Sequence, residues 1–228
     1  MVILSGGLGT RMRLLTKRVP KSMIMVRDKP FLWYQLELLK KHQIYNIVLC
    51  AGYLGNQIKE YFKDGKEMGL NIQYSEEKEL LGTAGALKKA EPLLNEEFFV
   101  MNGDSYLMFD YAQIMSFFKK RNRLALMVVY KNFNQFETSN VITNGELVKL
   151  YDRSKRSSQM IHVDAGLYIF RRQVAADIPA NFKILLDEIF AQLIEQNELL
   201  AFETSQRFYE IGSPGGLKEF GKLMEEKE

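Results

Sequence analysis

Along the first half of the chain, short apolar runs alternate with longer amphipathic stretches. VILS at residues 2–5 precedes an amphipathic segment over Phe31–His42, and IVLCAG at 47–52 precedes one over Gly55–Phe62. NIQYS at 71–75 leads to a helical pattern over Thr83–Leu94, and FFVMNGD at 98–104 to one over Tyr111–Arg121. Strand-length runs separated by helix-length segments predict repeated right-handed βαβ units and a mostly parallel sheet. The expected fold class is α/β, Rossmann-like and doubly wound.

The second half changes texture. After LALMVVY at 124–130, two strands flank Asn144-Gly145, and Asn-Gly between alternating runs predicts a hairpin with a type I′ turn. A small antiparallel excursion therefore precedes VDAGLYIF at 163–170. The helix LLDEIFAQLIEQ, the short strands LLAFET and RFYEIG, and a last helix from Pro214 follow. Without a linker, repeat or low-complexity segment, residues 1–228 read as a single domain. The faces holding Phe31, Tyr34 and Leu38, or Leu186, Ile189, Phe190 and Leu193, read as core stripes.

Composition narrows the class only slightly. Apolar residues make 46% and charged residues 26% of the chain, as in soluble globular enzymes. The net charge of +3, from 31 basic against 28 acidic residues, does not argue for nucleic acid. The lone cysteine, Cys50, sits in an apolar run and reads as a buried, inert thiol. His42 and His162, the only histidines, lack zinc-ligand spacing. No apolar stretch is long enough for a bilayer, and the opening residues read as a strand where a basic leader would stand, so a cytoplasmic protein is expected.

Chemistry concentrates in SGGLGTRMRLLTKRVPK, residues 5–21. Glycines after a strand let the backbone bend sharply and turn successive N–H groups toward an anion. Gly6, Gly7 and Gly9 follow neither G-x-G-x-x-G nor the G-x-x-x-x-G-K-[ST] loop. Arg11 stands directly behind them, and Lys21 follows Pro20, whose fixed φ helps to aim it. A guanidinium fork and a movable ammonium suit a phosphate whose charge changes during reaction.

GGLGTR with Pro-Lys about ten residues on resembles the signature of the sugar nucleotidyltransferases, and further segments follow in the family's order. They are LGTAGAL at 81–87, NGD at 102–104, DAGLYIF at 164–170 and FYEIGSP at 208–214. The length is similar to that of the short members, particularly the heptose 1-phosphate and mannose 1-phosphate guanylyltransferases, without the C-terminal β-helix other members carry. The resemblance implies attack by a sugar phosphate oxygen on the α-phosphorus of a nucleoside triphosphate, with pyrophosphate leaving in line. Such transfers rest on positioning and charge neutralisation.

The resemblance also implies roles. The backbone from Gly6 to Thr10 would wrap the nucleotide phosphates, Arg11 would neutralise the departing pyrophosphate, and Lys21 would bridge the α-phosphate and the incoming sugar phosphate. Asp104, at a strand's C-terminal end, suits Mg²⁺, the alternative being an aspartate that caps the next helix. Glu210 stands where the family's second metal ligand is usually aspartate, and its extra methylene leaves open whether it acts directly or through water. Gly82, Thr83 and Gly85 would lie along the base and ribose. Gly103, Asp164 and Gly166 would serve the sugar phosphate. The basic loop of Arg153, Lys155 and Arg156 replaces the family's Glu-Lys pair, with Arg153 the first choice for the acceptor phosphate and Lys155 the second.

The expected activity joins a nucleoside triphosphate, GTP favoured, to a sugar 1-phosphate of heptose or mannose type, with Mg²⁺ and with neither nucleic acid nor membrane as partner. Two alternatives stand beside it. One is a cytidylyl- or uridylyltransferase acting on another sugar phosphate, a phosphocholine or a phosphonate. The other is a non-catalytic nucleotide-sugar sensor, which the departure at Glu210 keeps open. The oligomeric state is open too, a homodimer included.

Overall fold

The computed structural model describes residues 1–7, 9, 12–155 and 157–227, and the chain divides into two compact units. One comprises Met1–Leu80, Met101–Met108 and Phe208–Glu228; the other comprises Leu81–Val100 and Phe109–Arg207. In chain order the elements are β1 (Val2–Leu4), α1 (Arg13–Thr16), β2 (Met25–Val26), β3 (Lys29–Pro30), α2 (Phe31–Lys41), β4 (Asn46–Ala51), α3 (Gly55–Phe62) and β5 (Asn71–Glu76). Then come α4 (Gly82–Ala90), β6 (Glu97–Asn102), β7 (Ser105–Tyr106), α5 (Tyr111–Lys119), β8 (Ala125–Lys131), β9 (Val141–Asn144) and β10 (Leu147–Tyr151). The chain ends with β11 (His162–Arg171), α6 (Arg172–Asp177), α7 (Leu186–Glu195), β12 (Leu199–Thr204), β13 (Tyr209–Glu210) and α8 (Pro214–Glu225). Each strand and helix expected from the apolar pattern has a counterpart. The β2–β3 ribbon, α1, β7 and α6 were not foreseen, being too short to show a period.

In the first unit β5, β4 and β1 run parallel, with Val2 opposite Val48, Leu4 opposite Cys50 and Asn46 opposite Asn71. The Met101–Asn102 end of β6 lies beside β1. Ile47 to Ala51 are buried without a break, as a parallel strand covered on both faces requires. Cys50 is buried, and that burial pushes its thiol well above the ordinary range, so it stays protonated and inert. Helix α2 buries Phe31, Leu32, Leu36, Leu38 and Leu39 and ends in Lys40 and Lys41, whose charges oppose the helix dipole. The C-terminal α8 starts with Ser213 as cap, its Oγ accepting from the Gly216 N–H at 3.1 Å, and with Pro214 in the first turn. Phe220 of α8 lies with its ring centroid 4.9 Å from both Phe31 and Tyr106. This core, with Ile211 and Met224, underlies the two-stranded β7–β13 ribbon.

The second unit is more antiparallel than a single hairpin would make it. Strands β8 and β12 are parallel, whereas β11 pairs antiparallel with β8, β10 with β12 and β9 with β10. The β9–β10 turn is displaced by one residue from the expectation. Asn144 pairs with Leu147, so Gly145 and Glu146 are the central pair, and of the two only Gly145 has positive φ. A glycine at the first central position suits type II′ rather than type I′. Tyr168, Phe170 and Phe190 form the aromatic core, with the Phe170 and Phe190 rings stacked at 6.2 Å. Helix α5 is capped by Asp110, which accepts from the Gln113 N–H at 2.9 Å. Among the described residues no helix is long and apolar enough to cross a membrane.

Candidate active site

In the first unit the glycine turn leaves β1, where the Ser5 N–H donates to the Cys50 carbonyl at 2.9 Å. It folds back on itself: the Gly9 carbonyl accepts from the Met12 N–H at 2.9 Å and from the Thr16 hydroxyl at 3.1 Å. A β-carbon built on Gly9 would lie 3.3 Å from Lys21 Cβ, so the loop brings the end of the glycine run against the lysine. Gly6 lies against Gly52 and Gly7 is open to space. Thr10 and Arg11, expected on the nucleotide phosphates, lie outside the described residues, so the turn's guanidinium is not placed.

Lys21 begins a 3₁₀ turn over Lys21–Met23, directly after Pro20. Its ammonium is ion-paired with the Asp104 carboxylate, from a position 83 residues further along the chain. Asp104 sits in the tight turn between β6 and β7. There the Gly103 N–H donates to the Leu4 carbonyl at 3.0 Å, and the Asp104 carbonyl accepts from the Ile211 N–H at 3.0 Å. Gly103 owes its identity to this approach, since a β-carbon there would stand 2.6 Å from the Leu4 carbonyl oxygen. A packing reason therefore accompanies the sugar-phosphate role expected for it.

Strand β13 pairs with β7 so that Glu210 faces Ser105, whose hydroxyl donates to Glu210 Oε1 at 3.4 Å. The ribbon thus sets Glu210 one register step from Asp104. Two carboxylates match the chemistry of Mg²⁺, which takes one or two from protein and fills its octahedron with water and phosphate oxygens. Among the described residues no group of three or more His, Cys, Asp or Glu could hold a metal, so an all-protein cage is not what this donor set offers.

In the second unit Gly82, Thr83 and Gly85 open α4, laced to the segment before α7. The Ile184 carbonyl accepts from the Ala84 and Gly85 N–H groups at 3.0 and 3.3 Å, and the Ile184 N–H donates to the Leu81 carbonyl at 2.9 Å. The Thr83 hydroxyl accepts from the Leu186 N–H at 2.8 Å and so caps α7. Gly82 has φ +74°, and a β-carbon on it would lie 2.4 Å from the Ile184 carbonyl oxygen. Gly82→Ala is therefore expected to destabilise the fold by about 2–4 kcal/mol in urea unfolding, through left-handed strain and the clash together. Gly7→Ala, with open space at the site, should shift stability by under about 0.5 kcal/mol.

The acceptor residues expected from the DAG segment form a buried network. Strand β11 bulges between Asp164 and Tyr168, with Gly166 at φ +77° and its N–H donating to Asp164 Oδ1 at 2.9 Å. Asp164 Oδ2 accepts from the Tyr168 and Tyr151 hydroxyls at 2.7 and 3.3 Å and lies 3.5 Å from Arg153 Nη2. Its side chain is 3% exposed. Burial pushes its carboxyl up, while the Arg153 guanidinium and the Gly166 N–H pull it down. The carboxylate expected to meet sugar hydroxyls is thus already engaged within the protein. Arg153, expected on the acceptor phosphate, also donates to the Tyr151 hydroxyl and lies 3.8 Å from Asp187. Lys155 is exposed on a turn that Asp152 caps, its carboxylate held to about 2 by N–H donors from Lys155 and Ser154. Arg156 lies outside the described residues.

Tyr151 and Asp187 were missed by the sequence reading. Asp187 stands next to Leu186, so the start of α7 touches Thr83 through one residue and Arg153 through the next. Only the pairing of acidic residues with the first helical turn could have signalled it. A polar cavity of about 430 Å³ in this unit, lined by Glu96, Glu97, Lys119, Arg171 and Arg172 among others, contains none of the expected site residues.

The chain matches the Nucleotidyl transferase family over residues 1–226. It is 32% identical over 215 residues to the D-glycero-alpha-D-manno-heptose 1-phosphate guanylyltransferase of Campylobacter jejuni, covering 93% of this chain and 94% of that enzyme. It is 32% identical over 219 residues to the mannose-1-phosphate guanylyltransferase catalytic subunit beta of Xenopus tropicalis, covering 93% of this chain but 61% of that protein's length. The crystal structure of HddC from Yersinia pseudotuberculosis complexed with GMP-PN shares the fold, with a TM-score of 0.82 at 24% identity over 98% of each chain. A match that runs over nearly the whole sequence, through the turns carrying Lys21, Asp104 and Gly82 alike, shows that the chain belongs to the nucleotidyl transferase family and has its Rossmann-like α/β fold.

Proposed function

We propose that the chain transfers a nucleotidyl group, guanylyl favoured, from a nucleoside triphosphate to a sugar 1-phosphate of heptose or mannose type. The observation that carries this reading is the Lys21–Asp104 pair beside the glycine turn, a cation and a carboxylate drawn together at the end of β6. The choice of acceptor and base rests on the similarity to the heptose 1-phosphate and mannose-1-phosphate guanylyltransferases. A sugar phosphate oxygen attacks the α-phosphorus, a P–O bond forms, the bond to the β-phosphate oxygen breaks, and pyrophosphate leaves.

In the first unit, Gly6, Gly7, Gly9 and Thr10 are assigned to the nucleotide phosphates, and Arg11 to the leaving pyrophosphate. Lys21 neutralises the α-phosphate and the incoming phosphate, two anions that otherwise repel each other. Asp104 and Glu210 would hold Mg²⁺, which supplies charge neutralisation and a template for the phosphates. In the second unit, Gly82, Thr83 and Gly85 are assigned to base and ribose; the Gly82 and Thr83 N–H groups have no protein partner among the described residues. Arg153 and Lys155 are assigned to the acceptor phosphate. Gly103 and Gly166 border the acceptor, and Asp164 acts there through the Arg153 it anchors. The reaction belongs to the cytoplasm, where nucleoside triphosphates and sugar phosphates are supplied.

The expected result is Mg²⁺-dependent pyrophosphate release with GTP and a heptose or mannose 1-phosphate. Release only with CTP or UTP would transfer the chain to the neighbouring specificity. No release with any of the four common triphosphates across a panel of sugar phosphates would overturn the enzymatic reading in favour of a sensor.

A further inference from the structure

We infer that Gln35 is a positioning residue for Asp104, an inference that rests on the metal role assigned to that carboxylate. Gln35 sits on the apolar face of α2 among Phe31, Leu32, Leu36, Leu38 and Leu39, and is 1% exposed. Its Nε2 donates to the carbonyl of Asn102 at 3.1 Å and to that of Ser105 at 2.7 Å. These two carbonyls flank the Gly103-Asp104 turn. One amide therefore staples the turn from beneath, using both of its hydrogens.

The cost of this arrangement argues for its purpose. Gln35 Oε1 is buried with no hydrogen-bond partner, and an unmet buried acceptor destabilises a fold. A leucine or methionine would carry no unmet acceptor of its own, as the rest of the face shows, but would take both donors from the Asn102 and Ser105 carbonyls. What glutamine alone adds is the pair of donors aimed at the turn. The Leu4 and Ile211 bonds tie Gly103 and Asp104 individually, but neither spans the turn from Asn102 to Ser105. Mg²⁺ demands near-ideal octahedral placement, and misplacement of a reacting group by about 1 Å can cost about 10²-fold in rate. A staple across the turn sets where the Asp104 carboxylate points, both toward the metal and toward Lys21.

The test compares the parent protein with Gln35→Met, which keeps bulk and reach but has no donor. Hydrogen exchange at the Gly103 and Ile211 amides is expected to quicken by about tenfold in the variant, while the amides of β4 stay protected. In pyrophosphate release, kcat should fall by about 10- to 100-fold and half-saturating Mg²⁺ rise by about tenfold, with the nucleotide KM changed by less than about threefold. Mn²⁺ binding in the presence of a non-hydrolysable GTP analogue, followed by electron paramagnetic resonance, should weaken in parallel. Unchanged exchange in a folded variant would overturn the staple. Faster exchange with unchanged kcat and metal dependence would overturn its positioning role. If Gln35→Met does not fold, Gln35→Asn is read by the same measurements, and failure of both to fold would make Gln35 a core residue only. Exchange does not depend on activity, so a parent without pyrophosphate release defeats the functional reading separately.

Discussion

Lys21→Ala is expected to lower kcat by about 10³-fold, roughly 4 kcal/mol of transition-state stabilisation, while the nucleotide KM moves by less than about tenfold. The lysine is assigned to the one phosphorus at which bonds change, so its charge counts most when the two anions are forced together. Its removal should cost little stability. The ammonium is 15% and its partner carboxylate 22% exposed, and Asp104 left alone still reaches solvent and keeps its backbone ties to Leu4 and Ile211. A thermal scan should show the variant folded. An unchanged kcat would remove Lys21 from the mechanism. Loss of nucleotide binding with kcat intact would reduce it to a ground-state anchor.

Asp104→Asn is expected to lower activity by about 10²- to 10³-fold and to flatten its dependence on Mg²⁺. The amide matches the carboxylate in shape, and the turn is held through the Gly103 N–H and the Asp104 carbonyl, neither of which the substitution touches. Only charge and the pairing with Lys21 are lost. The measurement is pyrophosphate release against Mg²⁺ concentration for parent and variant. Parent activity indifferent to a chelator would overturn the magnesium proposal, and a variant as active and as metal-dependent as the parent would move the metal away from Asp104. The two substitutions are not expected to be additive, because the side chains form one pair.

The alternation of short apolar runs with amphipathic segments placed β1, α2, β4, α3 and β5 of the first unit. Both periods are local and both depend on burial of one face. The hairpin was placed but its turn was one residue off. Which residues become central depends on cross-strand register, and Asn144 is drawn into the ladder opposite Leu147. The extra antiparallel pairs of the second unit were not legible, because a strand carries no mark of its neighbour's direction. Asp164 was legible as a polar residue in an apolar strand. Its enclosure by Tyr151, Tyr168 and Gly166 depends on a bulge and on residues from another strand. Gln35 was hidden for the opposite reason, since one amide within a core stripe has no sequence period.

The order of residues alone determined the chemistry available: a glycine turn ending near an arginine and a lysine, carboxylates after strand-like runs, and small residues where a helix begins. These are properties of side-chain type and of backbone freedom, and they act within a few residues. Tertiary structure decided which of them meet. It brought Lys21 to Asp104 across 83 positions, set Glu210 beside them through a ribbon closed by the C-terminal segment, and turned Asp164 inward to hold Arg153. The reason is physical: a contact between distant residues is made by packing and hydrogen bonds that form only when the whole chain has closed around them.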